Sequence, residues 1–383
     1  MRHMTSCQPA VSIGRMIKRI TIRNKRQSNF MKTIAISIIV ALLSVQSTNE
    51  RAPAEGVIAV GQQPQIASDN KGNIRIIYGH EDRIYCATSI DKGSNFPDIQ
   101  LVGEVGEMHL GMSRGPQVAS SKHYTLVSAI DRKGDIQTFR LDHQSVIWEK
   151  TGLINDLPGS APEGLMGIAA DGKDHFYAVW LDIRNNKRNK ICFASTKDKG
   201  STWSKNEIVY QSPEGTVCEC CKPNIAVSQS KIYIMFRNWL DGSRDLYLTQ
   251  SDDNGASFSD AMKLGEGTWK LNACPMDGGG LVVGEDGTVL TVWQRAGKIY
   301  YAEPNGAELQ IGTGRNCSIA DPGHPVVAWQ DGNLLKMLEL KEHRESVVGE
   351  GSFIKVVRTG DDNILLVWEN EGSIVFRNTG SLD

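Results

Sequence analysis

The chain has 383 residues, 38 of them glycine and 40% hydrophobic, a composition that excludes a disordered chain and a coiled coil. Its net charge of −2 averages two unlike parts: the first 47 residues hold eight basic side chains (Arg2, Arg15, Lys18, Arg19, Arg23, Lys25, Arg26, Lys32) and no acidic one. The other 336 residues carry 34 basic against 44 acidic side chains, about −10, which excludes the basic surface a nucleic-acid binder requires.

In chain order, Met31-Lys32 is followed by an apolar run from Ile34 to Val45 and by small residues, with Val45 and Ser47 placed before a cut after Ser47. Charge, apolar run and small residues in that order are those of a secretory signal peptide. The run is shorter than the ~20 residues that span a bilayer. Residues 1–30 read as an over-extended start, with Met31 the initiator. Residues 1–47 are therefore expected to be extension and signal peptide, and residues 48–383 one exported domain. That domain is expected to be secreted or periplasmic, monomeric and without a transmembrane segment. Export permits disulfides, and seven cysteines follow the leader: Cys86, Cys192, Cys218, Cys220, Cys221, Cys274 and Cys317.

Beyond the leader the sequence repeats itself. Short strands ending in an aromatic recur at 75–78, 177–180, 233–236, 290–293, 326–329 and 365–368, and 125–129 fills the gap after the first. Most are preceded by another strand, as at 64–67, 115–119, 164–169 and 223–226, and followed by a third, as at 84–87 and 246–249. Meanders of this kind joined by Gly/Asp turns are β-propeller blades. The count is seven, with six compatible because the last two units are short. The chain ends after a third strand at 374–376, so residues 57–60 are expected to supply the missing outer strand and close the ring.

Three copies of one turn punctuate the repeats: Ser89-x-Asp91-x-Gly93-x-x-Phe96, Thr196-x-Asp198-x-Gly200-x-Thr202-Trp203 and Ser251-x-Asp253-x-Gly255-x-Ser257-Phe258. The Asp accepts backbone N–H bonds in a tight turn, the Gly permits positive φ, and the aromatic plugs the core. This turn resembles the Asp-box, or bacterial neuraminidase repeat, of the sialidase-like propellers. The segments Cys218-Glu-Cys-Cys-Lys-Pro223, 267–278 and 109–116 are similar to those of exported bacterial exo-α-sialidase-like proteins. The resemblance implies an all-β propeller of the sialidase superfamily acting on acidic, sialic-acid-type glycans.

Strand order sorts the chemistry onto one face, because the Asp-box turns follow third strands. The opposite face holds Arg114, Glu163, Cys221, Cys274, Met276, Asp277 and Cys317 ahead of or at first strands, and Asp182, Arg184, Arg237 and Arg295 after second strands. Arg244 opens a third strand on that face. Guanidinium groups bind a sugar carboxylate bidentately. The resemblance implies an arginine triad, an Asp acid/base and a Tyr nucleophile activated by a Glu. Arg114-Gly-Pro116 resembles the family's Arg-Ile-Pro motif, with a different middle residue and a position after the first Asp-box. Arg237 and Arg295 stand as the other triad members, with Arg184 and Arg244 as further substrate-binding candidates. Asp182 or Asp277 is the candidate acid, Glu163 a further carboxylate, and Tyr300 the candidate nucleophile, with core packing as its other reading.

The cysteines carry a competing reading. Cys218, Cys220 and Cys221 share one loop, while Cys274 and Cys317 lead into the next two blades, so five thiols are placed near one side of the channel. They suit disulfides that staple the loop, or a soft ion such as Cu(I) or Zn(II) joined by Met276, Met112 and His109. On extended backbone Cys220 and Cys221 face opposite ways, so both reach the channel only through a special turn. Cys86 and Cys192 are expected to be buried small residues. The sequence thus leaves a sialidase-like glycosidase, with no cofactor, beside a non-catalytic exported propeller that binds glycan or a soft metal.

Overall fold

A computed structural model describes residues 54–360 and 363–380, and the signal-peptide reading of 1–47 lies outside them. The described residues form seven four-stranded antiparallel sheets, one per blade, with no helix. The count of seven blades holds. Innermost strands are Gln62–Ser68, Gln117–Ser120, Met166–Ala170, Asn224–Ser228, Gly280–Val283, Arg315–Ala320 and Ser352–Gly360, for blades one to seven. Each touches the innermost strand of the next blade, and that of blade seven touches that of blade one.

Second strands lie inside each sheet with neighbouring blades on both faces and read as continuous apolar runs, as in Phe176–Asp182, where every residue is buried. Their aromatics Trp180, Phe236, Trp293, Trp329 and Trp368 fill the spaces between sheets. Tyr233, Met235 and Leu248 of blade four, for example, pack against Trp293 of blade five. Burying each such ring contributes roughly 1.5–3 kcal/mol.

The ring closes as expected. Ala54–Val60 is the outer strand of blade seven and pairs antiparallel with Ser373–Thr379, with Ala54 opposite Asn378 and Val60 opposite Ser373. Arg377 pairs with Glu55 across the same seam, and Gln63 of blade one donates its N–H to Glu369 of blade seven at 3.1 Å.

The three Ser/Thr-x-Asp-x-Gly turns form with the hydrogen bonds their residues permit. Asp198 accepts the Thr202 N–H (2.9 Å) and both the Thr196 and Thr202 hydroxyls (2.7 Å each), while Gly200 donates to Thr196 Oγ1. Gly200 has φ +82°, a conformation glycine adopts freely. The box aromatics then reach the preceding blade: Phe96 meets Phe376 edge-on at 5.0 Å and Phe258 meets Phe193 at 5.1 Å.

Candidate functional site

The loops leading into the innermost strands of blades two to five converge on a cleft of about 600 Å³. Its walls come from His109, Met112, Arg114 and Arg132, then Glu163, then Glu219 and Cys220, and finally Cys274 and Met276, with Arg244 from blade four. The Asp-box turns, which follow third strands, lie at the other ends of these antiparallel sheets.

The loop before Asn224–Ser228 is anchored where the cysteines begin. Val217 donates its N–H to Asn189 O (3.0 Å) and Cys218 to Arg237 O (3.1 Å). A turn over 219–221 then reverses the chain, so the three thiols face one another. Cys218 and Cys220 Sγ are 3.7 Å apart, Cys218 and Cys221 3.5 Å, and Cys220 and Cys221 4.0 Å. This is the special turn that extended backbone lacks. All three are buried, and Met276 packs against them.

Glycine makes the approach of the next loop possible. A Cβ at Gly278 would lie 2.0 Å from Lys222 O, and Asn224 Nδ2 donates to Gly278 O at 2.9 Å. The Gly278-Gly279-Gly280 run is thus a close backbone approach that brings Asp277 and Met276 alongside the cysteine loop.

Arg244 supplies charge. Its Nη1 donates to Cys218 Sγ at 2.9 Å and lies 3.5 Å from Glu219, and its plane stacks on Trp239 at 4.5 Å. Contacts with the two neighbouring thiols, and then the Arg244 charge, hold the Cys218 thiol well below the usual range despite burial. Burial and the Lys355 charge pull Lys222, which donates to Gln117 Oε1 at 3.1 Å, down to about 7.

The structure divides the five candidate arginines. Arg237 is buried and donates to three backbone carbonyls: Asp277 O (3.0 Å), Arg244 O (2.6 Å) and Gln294 O (3.0 Å). Arg295 forms a two-pronged pair with Glu308 and lies over Tyr300 at 3.9 Å. Arg184 binds Asp182 at 2.9 Å and Asp156 at 3.1 Å. Of the five, Arg114 and Arg244 line the cleft, and Arg114 Nε donates to Glu163 O at 2.6 Å. Strand-end arginines were placed at the channel by topology. Three turn inward because buried carbonyls and carboxylates there need donors.

The acid and nucleophile candidates separate likewise. Asp182 is fully buried and accepts Trp180 Nε1 at 2.9 Å as well as Arg184. Asp277 is buried and accepts the N–H groups of Gly279 (3.0 Å) and Asn316 (2.8 Å). Tyr300 stacks on Trp293 at 6.1 Å, the core role open to it. Glu163 reaches the cleft, and no tyrosine is among the residues lining it.

Five converging thiols become three. Cys274 is exposed at the cleft, and Cys317 is buried with Leu290, Val292 and Trp329 between blades five and six. Cys86 and Cys192 are buried on third strands, as expected. The seven described cysteines are free, and the cluster spacings of 3.5–4.0 Å far exceed the ~2.05 Å of a disulfide. The sequence reading missed the direct contact of Arg244 with a thiol, because no local spacing links residues 26 apart.

Comparison with known proteins supports the fold. The chain is similar to an ulvan polysaccharide lyase (TM-score 0.52, 12% identity, 86% of this chain and 94% of that one). It is also similar to the SapL1 lectin (TM-score 0.51, 14% identity, 76% and 97%). A Trypanosoma rangeli sialidase matches at TM-score 0.49 and 13% identity over 84% of this chain, which spans 55% of that protein. No protein-family profile and no curated protein matches the chain.

Proposed function

We propose that this chain is an exported propeller that binds a soft transition-metal ion at Cys218, Cys220 and Cys221, its ring serving as a rigid scaffold. The observation that carries this reading is the trio of Sγ separations, 3.7, 3.5 and 4.0 Å. Four sulfurs around an ion at a bond length of ~2.3 Å stand roughly 3.8 Å from one another, so the thiols already match the edges of a coordination polyhedron. Arg244 offsets the negative charge that thiolates bring on ligation. The soft donors suit Cu(I) or Zn(II) rather than Mg or Ca.

A second reading places an acidic glycan in the cleft, where Arg114 and Arg244 stand beside Glu163 and Glu219. Sialidase chemistry needs more than this cleft offers, since no tyrosine lines it, although Arg114, Arg132 and Arg244 do. Turnover of α-sialosides is therefore not expected.

Elemental analysis of the chain purified reduced and without chelator tests the leading reading, together with a thiol count. The expected result is one Cu or Zn per chain, lost in a Cys218→Ser/Cys220→Ser/Cys221→Ser variant. Metal-free protein with oxidised cluster cysteines, and no uptake after reduction, would overturn it in favour of disulfides.

A further inference from the structure

Granted the three-thiol metal site, we infer that its ion is Cu(I), that the Met276 thioether completes the donor set, and that the adjoining cleft is the loading path. Met276 is the side chain that packs against the three cysteines. A thioether is a good ligand for Cu(I) and a poor one for Zn(II), so the fourth neighbour selects between the two ions the thiols accept. Its backbone lies at φ +54°, a conformation uncommon for a bulky residue and maintained where surroundings over-determine it. Two residues on, Gly278 makes the close approach to Lys222 O.

From the cluster outward, soft donors continue. Cys220 and Met276 line the cleft, Cys274 is exposed in it, and Met112 also lines it, 56% exposed and likewise at positive φ (54°). His109 lines the same cleft, and its buried Nε2 has no hydrogen-bond partner. Thiol, thioether and imidazole groups gathered in this cleft allow an ion to pass by ligand exchange from solvent to the buried trio. Each thiol that ligates releases its proton to solvent. Copper arriving as Cu(I) keeps its oxidation state, so no electron donor is required.

Anaerobic titration of the reduced, metal-free chain tests this, with Cu(I) competed against bicinchoninate and Zn(II) against a chromophoric chelator. The wild type is expected to prefer Cu(I). Met276→Leu, close in volume, is expected to weaken Cu(I) binding by at least roughly tenfold and leave Zn(II) binding unchanged. A Cys274→Ser/Met112→Leu variant is expected to slow Cu(I) exchange with the chelator while leaving the equilibrium affinity in place. Equal Cu(I) affinity in Met276→Leu, or Zn(II) bound more tightly than Cu(I), overturns the inference while the metal site stands. Binding of neither ion at the cysteines overturns the metal site itself. Melting of each variant relative to wild type separates lost ligands from lost fold.

Discussion

Arg244 Nη1 lies 2.9 Å from Cys218 Sγ, a guanidinium set directly on a buried thiol. An adjacent cation favours the thiolate, so Arg244→Met is expected to shift thiolate formation in the metal-free chain to higher pH. Far-ultraviolet thiolate absorbance followed against pH reads the shift. An unchanged profile would show that the contact carries no electrostatic coupling.

Arg237 acts on the fold. Arg237→Ala leaves three buried carbonyls without their donor and is expected to cost about 3–5 kcal/mol. That cost corresponds to a melting temperature lowered by roughly 4–7 °C in a domain of this length. A substrate-binding arginine would instead leave melting unchanged, so calorimetry distinguishes the two roles.

Gly278→Ala forces a methyl group to within 2.0 Å of Lys222 O. The two loops must part, at a cost of about 1–3 kcal/mol by the usual scale of overpacking. Reduced thermal stability together with weakened metal uptake is expected. Full uptake would mean that the cysteine loop holds its shape without the neighbouring one.

The Asp-box carboxylates set an acid limit. Hydrogen bonds from Thr202 and Thr196 draw the exposed Asp198 down to about 2 against a desolvation effect that opposes them, and those from Ser257 and Ser251 draw the exposed Asp253 to about the same value. The unfolded chain, with carboxylates near 3.8, binds more protons between these values. Their stabilisation is therefore complete above pH ~3.8 and lost as pH falls toward ~2. An Asp198→Asn/Asp253→Asn variant should show a shallower loss of stability in that window. An identical slope in denaturant titrations would refute it.

Removing residues 54–60 should expose the edge of Ser373–Thr379. Lower stability and concentration-dependent association are expected in light scattering. A monodisperse, equally stable product would show that the ring needs no outer strand at the seam.

The blades were legible because each repeats the same strand lengths and turn chemistry, and even the donation of residues 57–60 followed from a third strand left without a fourth. The cysteine loop was legible as a cluster, and its need for a turn was stated by the pleat. Arginine roles were not. A guanidinium at a strand end looks alike whether it meets solvent, as Arg114 does in part, or three carbonyls, as Arg237 does. The deciding partners lie up to 57 residues away, on another blade. Cys317 shows the same limit: its place at the head of a blade is visible in sequence, its inward direction is not.

The seam also fixes an order in time. Glu55 and Arg377 are 322 positions apart, so a chain growing from its N-terminus carries the strand at 54–60 unpaired until every other strand has been made. Blades two to six depend on neighbours close in sequence, whereas closure is the longest-range event and the slowest to arrive. The thiol loop of blade four takes its backbone anchors from Asn189 and Arg237, both close in sequence, so those contacts do not depend on the seam.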